Sequence, residues 1–221
     1  MTGGATPPTV FLVDDDPQVL KALTRLLRAK GFATMTFESA EAFLASHDPG
    51  VPGCLVLDIS LPGLDGLALQ RRLADGATAL PIVFLTGHGD IPMSVQAVKA
   101  GAVDFLTKPV AAETLLAAVR SGLAKDALAR EVNAESEALR QRYASLTRRE
   151  REVLAGLTAG KLNKQIAGDL GITEPTVKFH RARIMEHMQA RTVAELMHLA
   201  ARLAIAPAPK TADTSGEPTP P

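Results

Sequence analysis

Along the first 120 residues, short apolar runs alternate with stretches whose apolar residues recur at helical spacing. Residues 10–13, VFLV, have no polar interruption and predict a strand. Over 17–30, Val19, Leu20, Leu23, Leu26 and Leu27 recur every three or four positions, which predicts an amphipathic helix closed by Gly31. The alternation then repeats. Strands are expected over 32–37, 54–57, 82–85 and 103–106, and helices over 40–46 (with Ser39 as N-cap), 65–74, 92–100 and from residue 111. Repeated β-α units predict a doubly wound five-stranded parallel sheet with helices on both faces. The unbroken apolar strands fit burial on both sides.

The pattern changes after residue 120. Residues 121–146 are rich in Ala, Glu and Arg, and Leu123, Leu128, Val132, Leu139 and Tyr143 fall roughly on one helical face. This predicts a helix running into an interdomain linker, with a stripe too short and irregular for a coiled coil. Residues 147–203 are helical throughout. Thr147 and Glu150 form a capping box ahead of Val153, Leu154 and Leu157, and Gly160 ends that helix. A short helix over 163–170, the turn Gly171-Ile172-Thr173 and a helix over 174–189, with Pro175 in its first turn, make a helix-turn-helix. Its second helix is the one expected in a DNA major groove. The tail 207–221, PAPKTADTSGEPTPP, has the composition of a disordered segment.

Charge separates the two regions. Residues 1–120 carry 9 Lys/Arg against 12 Asp/Glu, net −3, whereas 146–203 carry 10 against 6, net +4. The basic half is the one that would face nucleic acid. With 46% hydrophobic residues, no Trp and one Tyr, both cores must be mainly aliphatic. Cys54 is the single cysteine, so no intrachain disulfide forms, as suits a reducing compartment. The start, MTGGATPPT, lacks the basic-then-apolar layout of a signal peptide. No apolar run approaches the ~18 residues of a membrane span. A soluble cytoplasmic protein is expected.

In open parallel sheets, chemistry gathers outside the carboxyl ends of the strands. Here the first strand ends in Asp14, Asp15 and Asp16, the third in Asp58, the fourth in Thr86 and Gly87, and the fifth leads to Lys108-Pro109. Any one of these aspartates alone would pass for a helix cap, and Asp16, before Pro17, is best read as one. Their joint order at four strand ends says more. Clustered carboxylates suit Mg2+, with Asp15 and Asp58 as direct ligands, Asp14 holding a bound water and the Ser60 carbonyl as a further ligand. Phosphoryl transfer follows, with Asp58 as nucleophile and with the metal, Lys108 and Thr86 neutralising the phosphoryl oxygens.

The stretches VDDD, LDISLPGLDG and LTGHGDIPMSVQAVKAGAVDFLTKP, at this spacing, resemble a response-regulator receiver domain of the FixJ type over residues 8–122. That resemblance implies a flavodoxin-like sheet, Asp58 as phosphoacceptor, Asp14 and Asp15 as acidic-pocket residues, and Mg2+ as cofactor. It also implies Thr86 and Phe105 as switch residues, Lys108 as the phosphate-sensing lysine, and a sensor histidine kinase as phosphodonor. The GHGD loop and Pro92 belong to the face that rearranges and dimerises in the family. Val110 stands where the family often has Phe.

In the helix-turn-helix, Lys178 and Arg181 are placed to reach bases or phosphates, and Thr176 and Asn163 to hold phosphates. The candidate DNA contacts are Asn163, Lys164, Thr176, Val177, Lys178, His180, Arg181 and Arg183. Val177 stands in two readings, since Val177 and Ile184, seven apart, also face the core together with Ile166. LTRREREVL, NKQIA and TVKFHRARIM resemble a LuxR-type DNA-binding domain over 145–206. Leu162 departs from the frequent Ser there, and Arg183 from the frequent Asn. His180 and His187 share a face but lack further ligands for a metal, and His47, His88 and His198 are isolated.

The expected organisation is a receiver domain over 8–122, a helical linker over 123–145, a DNA-binding domain over 146–206 and a disordered tail. The expected function is that of a two-component transcription factor activated by phosphorylation of Asp58. It would act as a homodimer on double-stranded DNA, with RNA polymerase as a further partner. Two other readings use the same residues. One is a DNA-binding protein whose receiver is a phosphate-independent scaffold. The other is an aspartyl-phosphate phosphohydrolase, against which stands Ser60, where such enzymes carry an acid/base aspartate. The protein is expected not to be an enzyme.

Overall fold

The computed structural model describes residues 7–74, 80–87 and 91–203, without the side chains of 91–94. The His88 reading, most of the GHGD loop, the Pro92 side chain and the tail lie outside the described residues. The chain divides into two compact units, the first ending at Val132 and the second starting at Asn133.

The first unit alternates strand and helix: β1 (Thr9–Val13), α1 (Pro17–Ala29), β2 (Ala33–Phe37), α2 (Ala40–Ser46), β3 (Gly53–Asp58), α3 (Gly66–Ala74), β4 (Ile82–Thr86), α4 (Ile91–Lys99), β5 (Asp104–Thr107) and the start of α5 (Ala112–Ala144). Most ends lie within a residue of those expected from the sequence. The third helix starts at Gly66 because Asp65 is spent as its cap, accepting from the Ala68 N–H at 2.7 Å. All strands pair in parallel, in the order β2-β1-β3-β4-β5.

Period-two alternation distributes the core over both faces of the sheet. Val10, Leu12, Cys54, Val56, Val83 and Leu85 meet Leu20, Leu23 and Leu27 of α1 and Leu115, Leu116 and Val119 of α5. Phe11, Val13, Leu55, Leu57, Ile82 and Phe84 meet Phe43 of α2, Leu69 of α3 and Ala97 of α4. The three inner strands are buried along their whole length, as the unbroken apolar runs predict. Strand β2 departs from this expectation. It lies at the sheet edge, and Ala33, Met35 and Thr36 are exposed where, among the described residues, no further strand continues the sheet.

Helix α5 runs for 33 residues, so one helix serves both the end of the first unit and the start of the second. The single apolar stripe expected along it does not hold. Leu123 packs against the first core and Leu139 and Tyr143 against the second, but Leu128 and Val132 are exposed. Polar contacts take over between them. The Asp126 carboxylate is buried and accepts from the Gly53 N–H at 2.8 Å and from Arg130 Nε at 2.8 Å. The same guanidinium donates to the carbonyls of Pro49, Gly50 and Val51 at 3.0, 3.3 and 2.9 Å. This clamp fastens α5 to the amino end of β3.

The second unit contains the rest of α5, α6 (Arg148–Thr158), α7 (Asn163–Leu170), α8 (Glu174–His187) and α9 (Val193–Arg202) around Leu146, Val153, Leu154, Ile166, Val177, Ile184, Met188 and Leu196. The capping box at α6 forms as expected. Glu150 accepts from the Thr147 N–H at 2.8 Å, and the Thr147 hydroxyl accepts from the Glu150 N–H at 3.3 Å. A Cβ on Gly156 would lie 2.9 Å from Ile166, so glycine is what lets α6 and α7 close together. Among the described residues, no helix is long and apolar enough to cross a membrane.

Cys54 is buried, and burial pushes its thiol up to about 12, so it reacts only when the first unit opens. Replacing Asp126 with Ala leaves the Gly53 N–H without its acceptor and the Arg130 guanidinium without its counter-charge, a loss of about 2 kcal/mol. Modification of Cys54 by a thiol reagent in the folded protein should therefore accelerate by roughly thirty-fold. An unchanged rate would show that the clamp adds nothing to stability.

Candidate functional site

The aligned carboxyl ends of β1, β3, β4 and β5 converge on one edge, because Val13 pairs with Leu57, Asp58 with Leu85, and Thr86 with Thr107. Asp14 continues the line of β1, its N–H donating to Phe37 O at 3.2 Å, and its side chain is buried. Asp14 Oδ1 accepts from the Asp16 N–H at 3.0 Å. Asp16 turns the other way and caps α1 by accepting from the Gln18 N–H at 2.8 Å, with Pro17 following it. Asp15 is exposed between them. The run of three carboxylates is thus split by direction.

Asp58 ends β3, and its Oδ1 accepts from the Ser60 N–H at 3.1 Å. Lys108 reaches both buried carboxylates. Its Nζ donates to Asp14 Oδ2 at 2.6 Å and to Asp58 Oδ2 at 2.8 Å. Its own N–H donates to Thr86 O at 2.7 Å, which registers the loop after β5 against the end of β4. Thr86 is buried there, and Phe105 is half-buried, with its ring centroid 6.2 Å from that of Phe84. The sequence-selected residues Asp14, Asp15, Asp58, Ser60, Thr86 and Lys108 thus share one edge of the sheet. Phe105, paired with Phe84, lies two strand positions before the level of Thr86.

The loop after Asp58 is held by features of two kinds. Gly66 sits where a Cβ would come within 2.7 Å of Asp58 O, and Gly63 takes a φ of +77°. Both glycines belong to the LPGLDG motif. The other anchor is Glu41 of α2, which accepts from the Leu64 N–H at 3.0 Å. Its backbone hydrogen bonds hold its carboxyl below the usual range. Nothing local in the sequence marks Glu41, since the contact spans 23 residues.

Burial raises the Asp14 carboxyl above its ordinary value, and the bonds from Lys108 and Asp16 offset only part of that. Burial would lower Lys108, but its hydrogen bonds to Asp14 and Asp58 outweigh this and raise it. One oxygen from each of Asp14, Asp15 and Asp58 lies within 4.8 Å of the others, the sole such group among the described residues. Three hard oxygen donors around one point, with a single lysine against them, fit a divalent cation.

In the second unit, Gly171, with φ +63°, closes α7, and Thr173 caps α8 by accepting from the Thr176 N–H. Arg181 donates to Asn163 Oδ1 at 2.7 Å, tying α8 to the start of α7. Lys164, Lys178 and Arg183 are exposed, and Thr176, His180 and Arg181 half-buried. Lys178 and Arg183 lie 3.7 and 3.6 Å from Glu174 and Glu186 on their own helix. Val177 is fully buried, so its core reading holds and its reading as a DNA contact is corrected. Leu162 ends in solvent at the start of α7 without a cap bond of its own. Gln165 instead accepts from the Leu162 N–H at 2.8 Å. His187 Nδ1 stands 3.8 Å from Glu150, and His47 stacks on Phe43.

Lys108→Ala would leave Asp14 and Asp58 facing each other without a cation. In metal-free protein at pH 7 this should destabilise the first unit by about 1–2 kcal/mol, since Lys108 is partly solvated. The loss should shrink as pH falls through the raised Asp14 value and the carboxyl takes up a proton. Denaturant titrations at pH 7 and pH 4 read both effects. An equal loss at both would mean that Lys108 acts by packing alone.

Comparison with known proteins agrees with this two-part construction. Residues 10–120 match the response regulator receiver domain, and residues 144–200 match the bacterial regulatory proteins of the luxR family. The chain is 44% identical over 194 residues to the response regulator protein TmoT of Ectopseudomonas mendocina, covering 88% of each. It is 41% identical to the transcriptional regulatory protein FixJ of Bradyrhizobium diazoefficiens, covering 87% of this chain and 94% of that one. The solved structure of the response regulator StyR matches with a TM-score of 0.81 at 47% identity, covering 89% of this chain and 99% of that one. A receiver fold with a charged edge and a LuxR-type helix-turn-helix in one chain place this protein among the two-component response regulators that bind DNA and control transcription.

Proposed function

We propose that Asp58 accepts a phosphoryl group from a sensor histidine kinase, and that this modification controls DNA binding by the second unit. The observation that carries the reading is the single Lys108 ammonium shared by Asp14 and Asp58 at the strand ends. In the transfer, an Asp58 oxygen forms the new P–O bond while the P–N bond to the donor imidazole breaks, leaving the electron pair on that nitrogen. Lys108 would follow the developing charge, exchanging its bond to the Asp58 carboxylate for one to a phosphoryl oxygen. The Thr86 hydroxyl would donate to another. Phe105, half-buried beside Phe84, would respond by ring burial alone, having no hydroxyl.

Mg2+ is the cation proposed for the acidic group, held by Asp15 and Asp58, by Asp14 through water and by the Ser60 carbonyl. When bound, it supplies positive charge against the phosphoryl oxygens. The proposed boundaries are 8–122 for the receiver, 123–145 for the linker and 146–206 for the DNA-binding domain. Asn163, Lys164, Thr176, Lys178, His180, Arg181 and Arg183 form the proposed DNA face. Phosphorylation would shift a pre-existing equilibrium toward a homodimer that matches a two-fold site, with RNA polymerase as a further partner and the cytoplasm as the compartment.

Incubation with a small acyl phosphate and Mg2+ should label the wild-type chain and leave Asp58→Ala unlabelled. Chelating the metal should abolish labelling, whereas Ser60→Ala, which keeps the carbonyl, should retain it. The Asp58→Ala chain should need roughly ten-fold more protein for half-saturation of DNA than the phosphorylated chain, a shift of about 1.4 kcal/mol. Labelling of Asp58→Ala would remove Asp58 as the acceptor, and DNA binding indifferent to phosphorylation would favour the scaffold reading.

A further inference from the structure

We infer that Phe179 is a base-reading residue that selects thymine in the DNA major groove through contact with its C5-methyl group. The inference rests on the proposed placement of α8 in the groove. Phe179 is 62% exposed, although phenylalanine is among the residues most often buried. It is not among the side chains packed on the second unit's core. At about 100° per residue, Val177, Ile184 and Met188 lie within about 20° of one line along α8, and that line is the buried one. Phe179 falls about 20° from the opposite line, with Pro175 and Ala182 beside it. The centre of the outward face is therefore apolar over the first turns of α8, up to Ala182.

The charged residues flank this strip. Lys178 lies on one side and Arg183 on the other, both exposed. Glu186 lies on the centre line of the same face, about two turns beyond Phe179 and 3.6 Å from Arg183, where it bounds the apolar strip. Cations at the margins suit the two phosphate backbones that border a groove, and an apolar centre suits the groove floor. Thymine is the base that offers a methyl group there. The neighbouring His180 ring packs edge-on to Phe179 at 5.7 Å, which limits its swing. Phe179 thus adds to the DNA face its largest exposed apolar side chain.

Selection of bound duplexes from a random pool, using the full phosphorylated chain, should enrich thymine at a fixed position in each half-site. Replacing that thymine with deoxyuridine removes only the methyl and should weaken wild-type binding about four-fold per half-site. Phe179→Ala should lose the thymine preference and bind both duplexes alike. Absence of thymine enrichment, no uracil effect in wild type, or the same effect in Phe179→Ala would each overturn the inference. Lys178→Ala separates it from the reading beneath. Unchanged affinity and salt dependence in that variant would take α8 out of the groove altogether. A uniform loss across sequences without a methyl effect would remove Phe179 alone.

Discussion

Two carboxylates buried beside each other repel, and each is costly to keep charged away from water. In this chain Asp14 and Asp58 are brought together by parallel pairing of β1 with β3, and the Lys108 ammonium is what makes that arrangement tolerable. The rest of the first unit serves this contact. Strand β5 must lie two places from β3 for Lys108 to arrive, and its loop is registered by a bond to the carbonyl of Thr86. The loop beyond Asp58 needs a glycine where a side chain would collide with the Asp58 carbonyl, and a carboxylate from α2 to hold its turn. One ammonium against three carboxylates leaves the edge short of positive charge, which is the physical basis for placing a cation and a phosphoryl group there.

Strand β3 is tied to charge at both ends. Its carboxyl end carries Asp58, and its amino end, Gly53, donates to the buried Asp126. Between them the strand is wholly buried and packed on both faces. Arg130 extends the second anchor to three carbonyls of the preceding loop. The clamped helix is the one that runs on into the second unit. A charged contact does there what an apolar stripe does elsewhere on α5. This explains how Leu128 and Val132 stay exposed while the helix remains fixed to the first unit up to Arg130.

The second unit relies on helix ends more than on length. Thr147 with Glu150, Thr173 with Thr176, and Gly171 in the left-handed region set where each helix begins or stops. Arg181 is held by Asn163, so the two helices of the motif are joined by a hydrogen bond as well as by Ile166, Val177 and Ile184. With the inner face of α8 so committed, its outer face carries Lys178, Phe179 and Arg183, with Glu186 further along.

Periodicity alone determined the alternation of strands and helices, the parallel sheet, the helix-turn-helix and the carboxylates at the strand ends, because each of these is written in neighbouring residues. Asp16 as a cap beside Pro17, and the box of Thr147 and Glu150, were legible for the same reason. Only the tertiary structure decided which oxygens Lys108 holds, since that contact joins residues 94 and 50 positions apart. The roles of Glu41, Asp126 and Arg130 depend equally on distant partners. Helical spacing left Val177 in two readings, and burial resolved it, because spacing defines a face but not what that face meets. Spacing likewise puts Phe179 on the face opposite Val177 and Ile184, but only the packing shows that the core is complete without it and that its ring stays exposed.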